Sequence, residues 1–277
     1  MINQIQLRKQ VNWLLDKSAV TLAIFFVIFP IFWLVITAFK PEQYVYTNAI
    51  IFPPILDNFR DIFGGQLNFW PYLVNSMIIA TTTVLIAIPL ATMASYVLSR
   101  YVFKGSTAIL IWFLSTQFLQ PVVVVIPFFT LFRQLGIIDT RLSLIIINLS
   151  LTVPYAVWML KGFVDSLPTE VEQAALVDGC TEFQVLRYIT MPMMMPGIIT
   201  TAVFSFITAW NEFLYALVLT RDNSTTMTVG LLATNTHRGV QWEWMAAAGI
   251  LVMIPIFILS LTIRNYFVEG LTMGAVK

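Results

Sequence analysis

The sequence predicts an all-α, polytopic membrane protein with six transmembrane helices and one polar cytoplasmic loop. Three observations predict it. The 277 residues are 58% hydrophobic and only 10% charged, with a mean hydropathy of +0.84. A soluble globular protein carries about 25% charge, so this chain has too few polar groups to cover a water-facing surface. Charge-free stretches recur at the length that crosses a ~30 Å hydrocarbon core as helix, about 20 residues. A charged, glycine-hinged segment, EQAALVDGCTEFQVLRYITMPMMMPG at 172–197, breaks the apolar pattern.

The expected spans are 18–39, 71–99, 105–132, 142–160, 196–220 and 244–263. The second and third exceed the minimum length, which calls for tilt or an extension beyond the bilayer. The first is too long for a signal-peptide core and lacks a small-x-small cleavage site, so it is expected to stay as a helix. Six spans put both termini on one side. With that side cytoplasmic, it holds Arg8, Lys9, Lys17, Arg100, Lys104, Lys161, Arg187, Arg264 and Lys277, nine cations. The outer side holds six: Lys40, Arg60, Arg133, Arg141, Arg221 and Arg238. The bias follows the positive-inside rule, and Arg100 and Lys104 flank the tight second-to-third turn. Trp70, Tyr72, Trp242 and Trp244 form an outer aromatic belt, with Trp13 as an inner anchor. The organisation is a cytoplasmic N-terminus (1–17), a membrane domain (18–266) containing the loop 163–195, and a cytoplasmic tail (267–277).

A net charge of +1 without a basic run gives no reason to expect nucleic acid as a partner. One cysteine, Cys180, leaves no internal disulfide or cysteine-cluster metal site, and it is expected to be a small buried residue.

The polar loop has the grammar of two short helices and a hinge. Ser166 or Thr169 is placed to cap the first helix, Pro168 suits its first turn, and Glu170 and Glu172 complement its N-terminus. Gly179 is placed just past its end, where a left-handed residue is needed. Thr181 and Gln184 read as a capping box for the second helix. Phe183, Leu186 and Ile189 recur along one side, and Met191-Pro192 ends it. An amphipathic loop lying on the membrane surface would share this grammar.

Glu172-Gln173-Ala174-Ala175, then Asp178-Gly179, then Ile189 and Pro192, resembles the EAA loop of ABC-importer permeases. The resemblance spans most of the chain: NSMIIATTTVLIAIPLATMASYVLSRYVFKG, IPFFTLFRQLGIIDTRLSLIIINLSLTVPYAVWMLKGF, FSFITAWNEFLYALVL and the terminal YFVEGLTMGAVK are similar to the carbohydrate-uptake branch, of the maltose and glycerol-phosphate type. It implies a type I importer permease fold in the bacterial inner membrane. It also implies a second homologous permease, two copies of an ABC ATPase, an extracytoplasmic solute-binding protein, a small carbohydrate and membrane lipid as partners. Glu172, Gln173, Ala174, Ala175, Asp178 and Gly179 would then couple the spans to the ATPase. The sequence departs at one point: the family's glutamate of E-A-A is Gln173 here. Glu172, one residue earlier, points about 100° away, so the resemblance implies a neutral docking contact at Gln173. The terminal GLTMGAVK resembles a tail that reaches between ATPase subunits.

No phosphate-binding loop occurs in the sequence. The chain is therefore expected to be no enzyme and to hold no cofactor, metal or catalytic residue, with ATP and Mg²⁺ bound by the partner ATPase. Lone His237 in the outer loop reads as solvent-facing. Within the spans, Gln117 and Gln120 would share a face of the third helix. Asn75 and Asn148 read as packing amides that bond across helices, ~0.6 kcal/mol each. Trp210, Asn211, Glu212 and Tyr215 are candidate pathway residues with the two glutamines, because a buried carboxylate costing at least ~2.5–3.5 kcal/mol needs a wet cavity or a partner. The alternatives are an importer permease for a compatible solute or amino acid, a membrane-embedded transferase, which needs clustered carboxylates or metal ligands, and an ion-driven carrier, which needs inverted repeats and intramembrane ion pairs.

Overall fold

In lipid an apolar segment can satisfy its own backbone only as helix, and the computed structural model of the chain follows that rule. It describes residues 2–47, 49–65, 67–237 and 239–273; Arg238 and the tail's 274–277 lie outside them. In chain order the helices are α1 (Ile2–Ala38), α2 (Glu42–Val45), α3 (Asp57–Phe63), α4 (Trp70–Arg100), α5 (Ser106–Gln117), α6 (Pro121–Gln134) and α7 (Arg141–Ser166). The loop region holds α8 (Thr169–Val177), α9 (Glu182–Val185), a π turn (Leu186–Thr190) and α10 (Met191–Met193). Then come α11 (Met195–Trp210), α12 (Leu214–Leu219), α13 (Met227–Gly230), a 3₁₀ turn (Leu231–Thr234), the hairpin of β1 (Asn235–Thr236) and β2 (Gly239–Val240), and α14 (Trp242–Met273).

Four segments are long and apolar enough to cross a membrane unbroken: Asp16–Ala38, Trp70–Arg100, Arg141–Ser166 and Trp242–Leu261. The third and fifth expected spans are broken, which corrects the continuous helices read from hydropathy. α5 and α6 meet at 98°. Pro121 opens α6 and forces Gln120 before it into an extended conformation, φ −65° and ψ 132°. α11 has 16 residues, about 24 Å at 1.5 Å per residue, too short to cross alone; after a break at 211–213 the chain continues as α12. α1 begins at Ile2 and α14 runs to Met273, so both expected terminal segments continue their spans as helix among the described residues.

The chain forms two compact units, Met1–Asn68 with Ala233–Leu251, and Phe69–Leu232 with Val252–Lys277. In the first, Lys40 is 1% exposed. Its ammonium lies 4.7 Å from the Trp33 ring centroid and 5.6 Å from that of Phe52, and donates to the Thr47 carbonyl at 3.4 Å. Two ring faces thus stand in for the water the charge has lost. Asn58 Nδ2 donates to the carbonyls of Ala38 and Lys40, both at 2.9 Å, closing the open end of α1.

In the second unit α4 packs along α7, and α11 lies against both. Ala91 and Ala156 bring the backbones close, as small residues do between membrane helices, with Val157 and Leu160 buried beside them. Gly197 completes the fit: a Cβ there would stand 2.4 Å from the Phe163 ring.

One carboxylate organises the end of this unit away from the polar loop. Asp139, at φ 57°, accepts from the backbone N–H groups of Arg221 (2.9 Å), Asp222 (3.2 Å), Asn223 (3.1 Å) and Ser224 (3.2 Å). Burial alone would raise its pKa, but these four donors outweigh it and hold the carboxyl well below the usual range. Asn75 adds to the clamp, donating to the carbonyls of Asn223 and Thr225 at 3.0 Å while Arg141 Nε donates to it at 2.8 Å. Of the two amides expected to bond across helices, Asn75 does so, to Arg141 at the start of α7, and Asn148 does not. Asn75 also holds a loop, and Asn148 donates to Leu144 O within its own helix at 2.8 Å.

Asp139→Ala should speed hydrogen exchange of amides 221–224 by about thirtyfold, equivalent to roughly 2 kcal/mol for the lost charge-assisted bonds. Because the folded pKa is depressed, this protection should hold above the ordinary carboxylate range and fade only as pH falls below it.

Candidate functional site

The polar loop is built by its own sequence. Pro168, extended at φ −65° and ψ 127°, occupies the position before α8. Neither Ser166 nor Thr169 caps the helix, correcting that expectation; Ser166 Oγ donates back to Phe163 O at 2.7 Å. α8 ends in a left-handed Gly179, φ 92°. Gly179 N–H donates to Leu176 O at 3.1 Å and Cys180 N–H to Ala175 O at 3.0 Å, the paired bonds of a Schellman motif. Cys180 is half-buried, not buried. The capping box forms as read: Gln184 N–H donates to Thr181 Oγ1 at 3.4 Å, and Thr181 N–H to Gln184 Oε1 at 2.7 Å. The helix then widens into the π turn and runs on as α10 with Pro192 in its first turn, so Met191-Pro192 does not end it; the chain bends by 77° between Met193 and Met195 instead.

The two faces of this unit differ from the simple pattern. Glu172, Ala175, Val185, Leu186 and Thr190 face inward and are buried, whereas Phe183, expected with them, is 60% exposed. Gln173, Ala174, Asp178 and Gly179 face outward, beside Leu176 and Val177. The six residues singled out from the motif thus divide. Glu172 is an internal residue, 6% exposed, and is not available for docking.

Its carboxylate is held from two sides. Arg100, the last residue of α4, donates from Nε at 2.7 Å to one oxygen and from Nη2 at 3.1 Å to the other. Thr190 Oγ1 donates to the second oxygen at 2.9 Å. The neighbours of Arg100 reach the same region: Ser99 Oγ donates to Asp165 at 2.5 Å. The Tyr101 hydroxyl bonds to the Glu182 carboxylate, which pushes the phenol pKa up to about 12. The side chains of Arg100 and Glu172 are 13% and 8% exposed. Removing one member of a pair this buried typically costs about 3–5 kcal/mol. The nearby Lys161–Asp165 pair, with Asp165 47% exposed, contributes about a tenth of that, ~0.3–0.5 kcal/mol.

A second feature lies among the spans. Thr116, Gln117, Thr152, Tyr155, Ser205 and Thr208 line a cavity of about 260 Å³. Thr152 and Ser205 are buried there with hydroxyls that have no hydrogen-bond partner. Such orphans cost about 1–3 kcal/mol each unless water or a ligand serves them. Gln117 lines this space while donating to Leu151 O at 3.1 Å. Gln120 does not share its helix face, because the α5–α6 break separates them. The sequence signal for the rest was available in two pairs at helical spacing, Thr152 with Tyr155 and Ser205 with Thr208.

Trp210, Asn211, Glu212 and Tyr215 do not line this cavity. Trp210 is buried, stacks on Phe206 at 5.7 Å, and donates from Nε1 to Val252 O at 3.1 Å. Glu212 takes the N–H groups of Tyr215 (2.7 Å) and Ala216 (2.9 Å), so the carboxylate finds its partner in the free end of α12. Asn211 is exposed at the end of α11, and Tyr215 is 1% exposed in the core.

The family of binding-protein-dependent transport system inner membrane components matches residues 84–272 of this chain. The chain belongs to that family. Its matched region contains both the loop and the cavity. The chain is 33% identical to the diacetylchitobiose uptake system permease protein DasC of Streptomyces coelicolor, over 93% of this chain and 95% of that one. It is 31% identical to the trehalose/maltose transport system permease protein MalG of Thermococcus litoralis, over 95% and 96%. A solved bacterial ABC transporter involved in import of the acidic polysaccharide alginate has a chain that superposes with a TM-score of 0.79. That match has 18% identity and covers 93% of this chain and 97% of that one. The fold is therefore that of an importer permease, an integral membrane protein.

A Cβ on Gly179 would meet nothing within 4 Å, so only its left-handed backbone restricts the position. Gly179→Val should cost about 1–2 kcal/mol of loop stability and sharply lower transport. Gly179→Asn, which tolerates that conformation, should retain most activity in the same uptake assay.

Proposed function

We propose that this chain is the membrane-spanning permease subunit of an ATP-driven importer of carbohydrates, and forms half of an alternating-access pathway. Its partners are a homologous permease, two ABC ATPase subunits that bind ATP and Mg²⁺, and an external solute-binding protein. Both termini and the loop 163–195 are cytoplasmic, in a bacterial inner membrane. The chain itself performs no covalent chemistry.

The observation that carries the reading is the loop. Its inner face is closed by Glu172, and its outer face presents Gln173, Ala174, Leu176 and Val177 as a helix–turn–helix of fixed shape. A neutral glutamine among small and apolar residues suits a docking surface sealed by contact. The carbohydrate cargo is supported by the relatives named for diacetylchitobiose and for trehalose/maltose. The cavity suits that chemistry. Its hydroxyls, amide and tyrosine offer bonds to sugar hydroxyls leaving water, and Thr152 and Ser205 still need partners.

In vesicles containing the assembled transporter, Ala174→Cys should cross-link to the ATPase subunit. Reaction of that cysteine with an impermeant reagent added outside would overturn the orientation. Uptake of labelled diacetylchitobiose or maltose should fall about tenfold with Tyr155→Phe, the equivalent of one hydrogen bond of about 1.4 kcal/mol. Unchanged uptake would remove the cavity from the pathway.

A further inference from the structure

Three consecutive residues at the end of α4 reach three different parts of the polar loop region. Ser99 holds Asp165 near the end of α7, Arg100 holds Glu172 on α8, and the Tyr101 hydroxyl faces the Glu182 carboxylate of α9. Arg100 Nη2 also donates to Leu167 O at 3.2 Å, between the first two of these points. Thr190 closes on Glu172 from the π turn, so the carboxylate ties both short-helix segments to one guanidinium. Among the described residues, the ion pair that leaves the loop runs to α4.

This geometry transmits force. A single hydrogen bond permits rotation about its axis, whereas two N–H···O bonds in a planar fork resist both rotation and sliding. Ser99, one residue earlier, fixes the end of α7 beside this fork. Beyond the clamp, α4 packs against α7 and α11, the helices that carry Thr152, Tyr155, Ser205 and Thr208 of the cavity. A displacement of the loop therefore reaches the cavity walls through α4.

We propose that Arg100 is a positioning residue for energy coupling: by gripping Glu172 it makes 99–101 the handle through which the loop moves α4 and the helices packed on it. The proposal rests on the reading of this loop as the ATPase-docking element.

The test uses the assembled transporter in vesicles and needs no knowledge of the cargo. Cys180 is the single cysteine, so a Cys180→Ser background carrying Thr208→Cys reports cavity exposure through its rate of maleimide labelling. ATP binding should change that rate about tenfold with Arg100 in place. Arg100→Glu should abolish the change while the ATPase still co-purifies, and Arg100→Lys, which lacks the fork, should leave about a third of it. The exchange Arg100→Glu with Glu172→Arg should recover the response to within about threefold. A full response in Arg100→Glu, or equal responses in Arg100→Lys and Arg100→Glu, would overturn the proposal. A different outcome marks failure of the functional reading: a wild-type chain that binds no ATPase, or whose labelling ignores ATP.

Discussion

The ion pair between Arg100 and Glu172 is the contact on which the polar-loop end of the second unit depends. It joins the end of one long span to a loop that also meets the bundle through the apolar packing of Leu186 and Met194. The pair lies in a nearly dry setting, with side chains 13% and 8% exposed. There the cost of desolvating two charges is offset only if the pair's geometry is good and further hydrogen bonds serve the carboxylate. Two N–H donors from Arg100 and one O–H from Thr190 meet that condition. Packing follows from the same contact. With Glu172 turned inward, Ala175 is drawn into the interface, and Gln173 and Ala174 turn outward on the neighbouring positions of the helix.

The opposite end of that unit solves the equivalent problem with a carboxylate held by backbone N–H groups. Asp139 gathers four backbone N–H groups of one loop, and Asn75 gathers two of its carbonyls. Between the two ends, the cavity lies among one unbroken span, α7, and the two broken ones. Proline chemistry breaks α5 from α6, and the Glu212 carboxylate supplies the cap that lets α12 restart after α11. Irregular backbone at membrane depth is tolerated where protein or water serves its polar groups, and both breaks meet that condition in different ways. A rigid clamp at each end and broken helices between them suit a protein that must change shape around a cavity without melting.

Much of this was legible in the sequence. The hinge at Gly179, the Thr181–Gln184 box and the six apolar segments follow from local chemistry, which one strand of sequence contains. The partners of polar residues do not. Glu172 looked like a docking residue because its fixed ion, Arg100, lies 72 residues away. Glu212 looked like a pathway residue because hydropathy records a charge and not the helix terminus that satisfies it. Phe183 matched the spacing of the buried side, but the π turn alters the register that spacing assumes. The cavity was missed for the opposite reason: single hydroxyls on apolar helices carry a weak signal, and it took three helices side by side to show that Thr152 and Ser205 lack partners.

The central claim is that the loop and α4 move as one body, and it can be measured as a distance. Spin labels at Glu170, exposed on α8, and Leu85, exposed midway along α4, lie about 20 Å or more apart along the helix axis at 1.5 Å per residue. Double electron–electron resonance on the assembled transporter, with and without trapped ATP, should give the same narrow distance distribution in both states. A shift of several ångströms between them, or a broad distribution in either, would contradict the account.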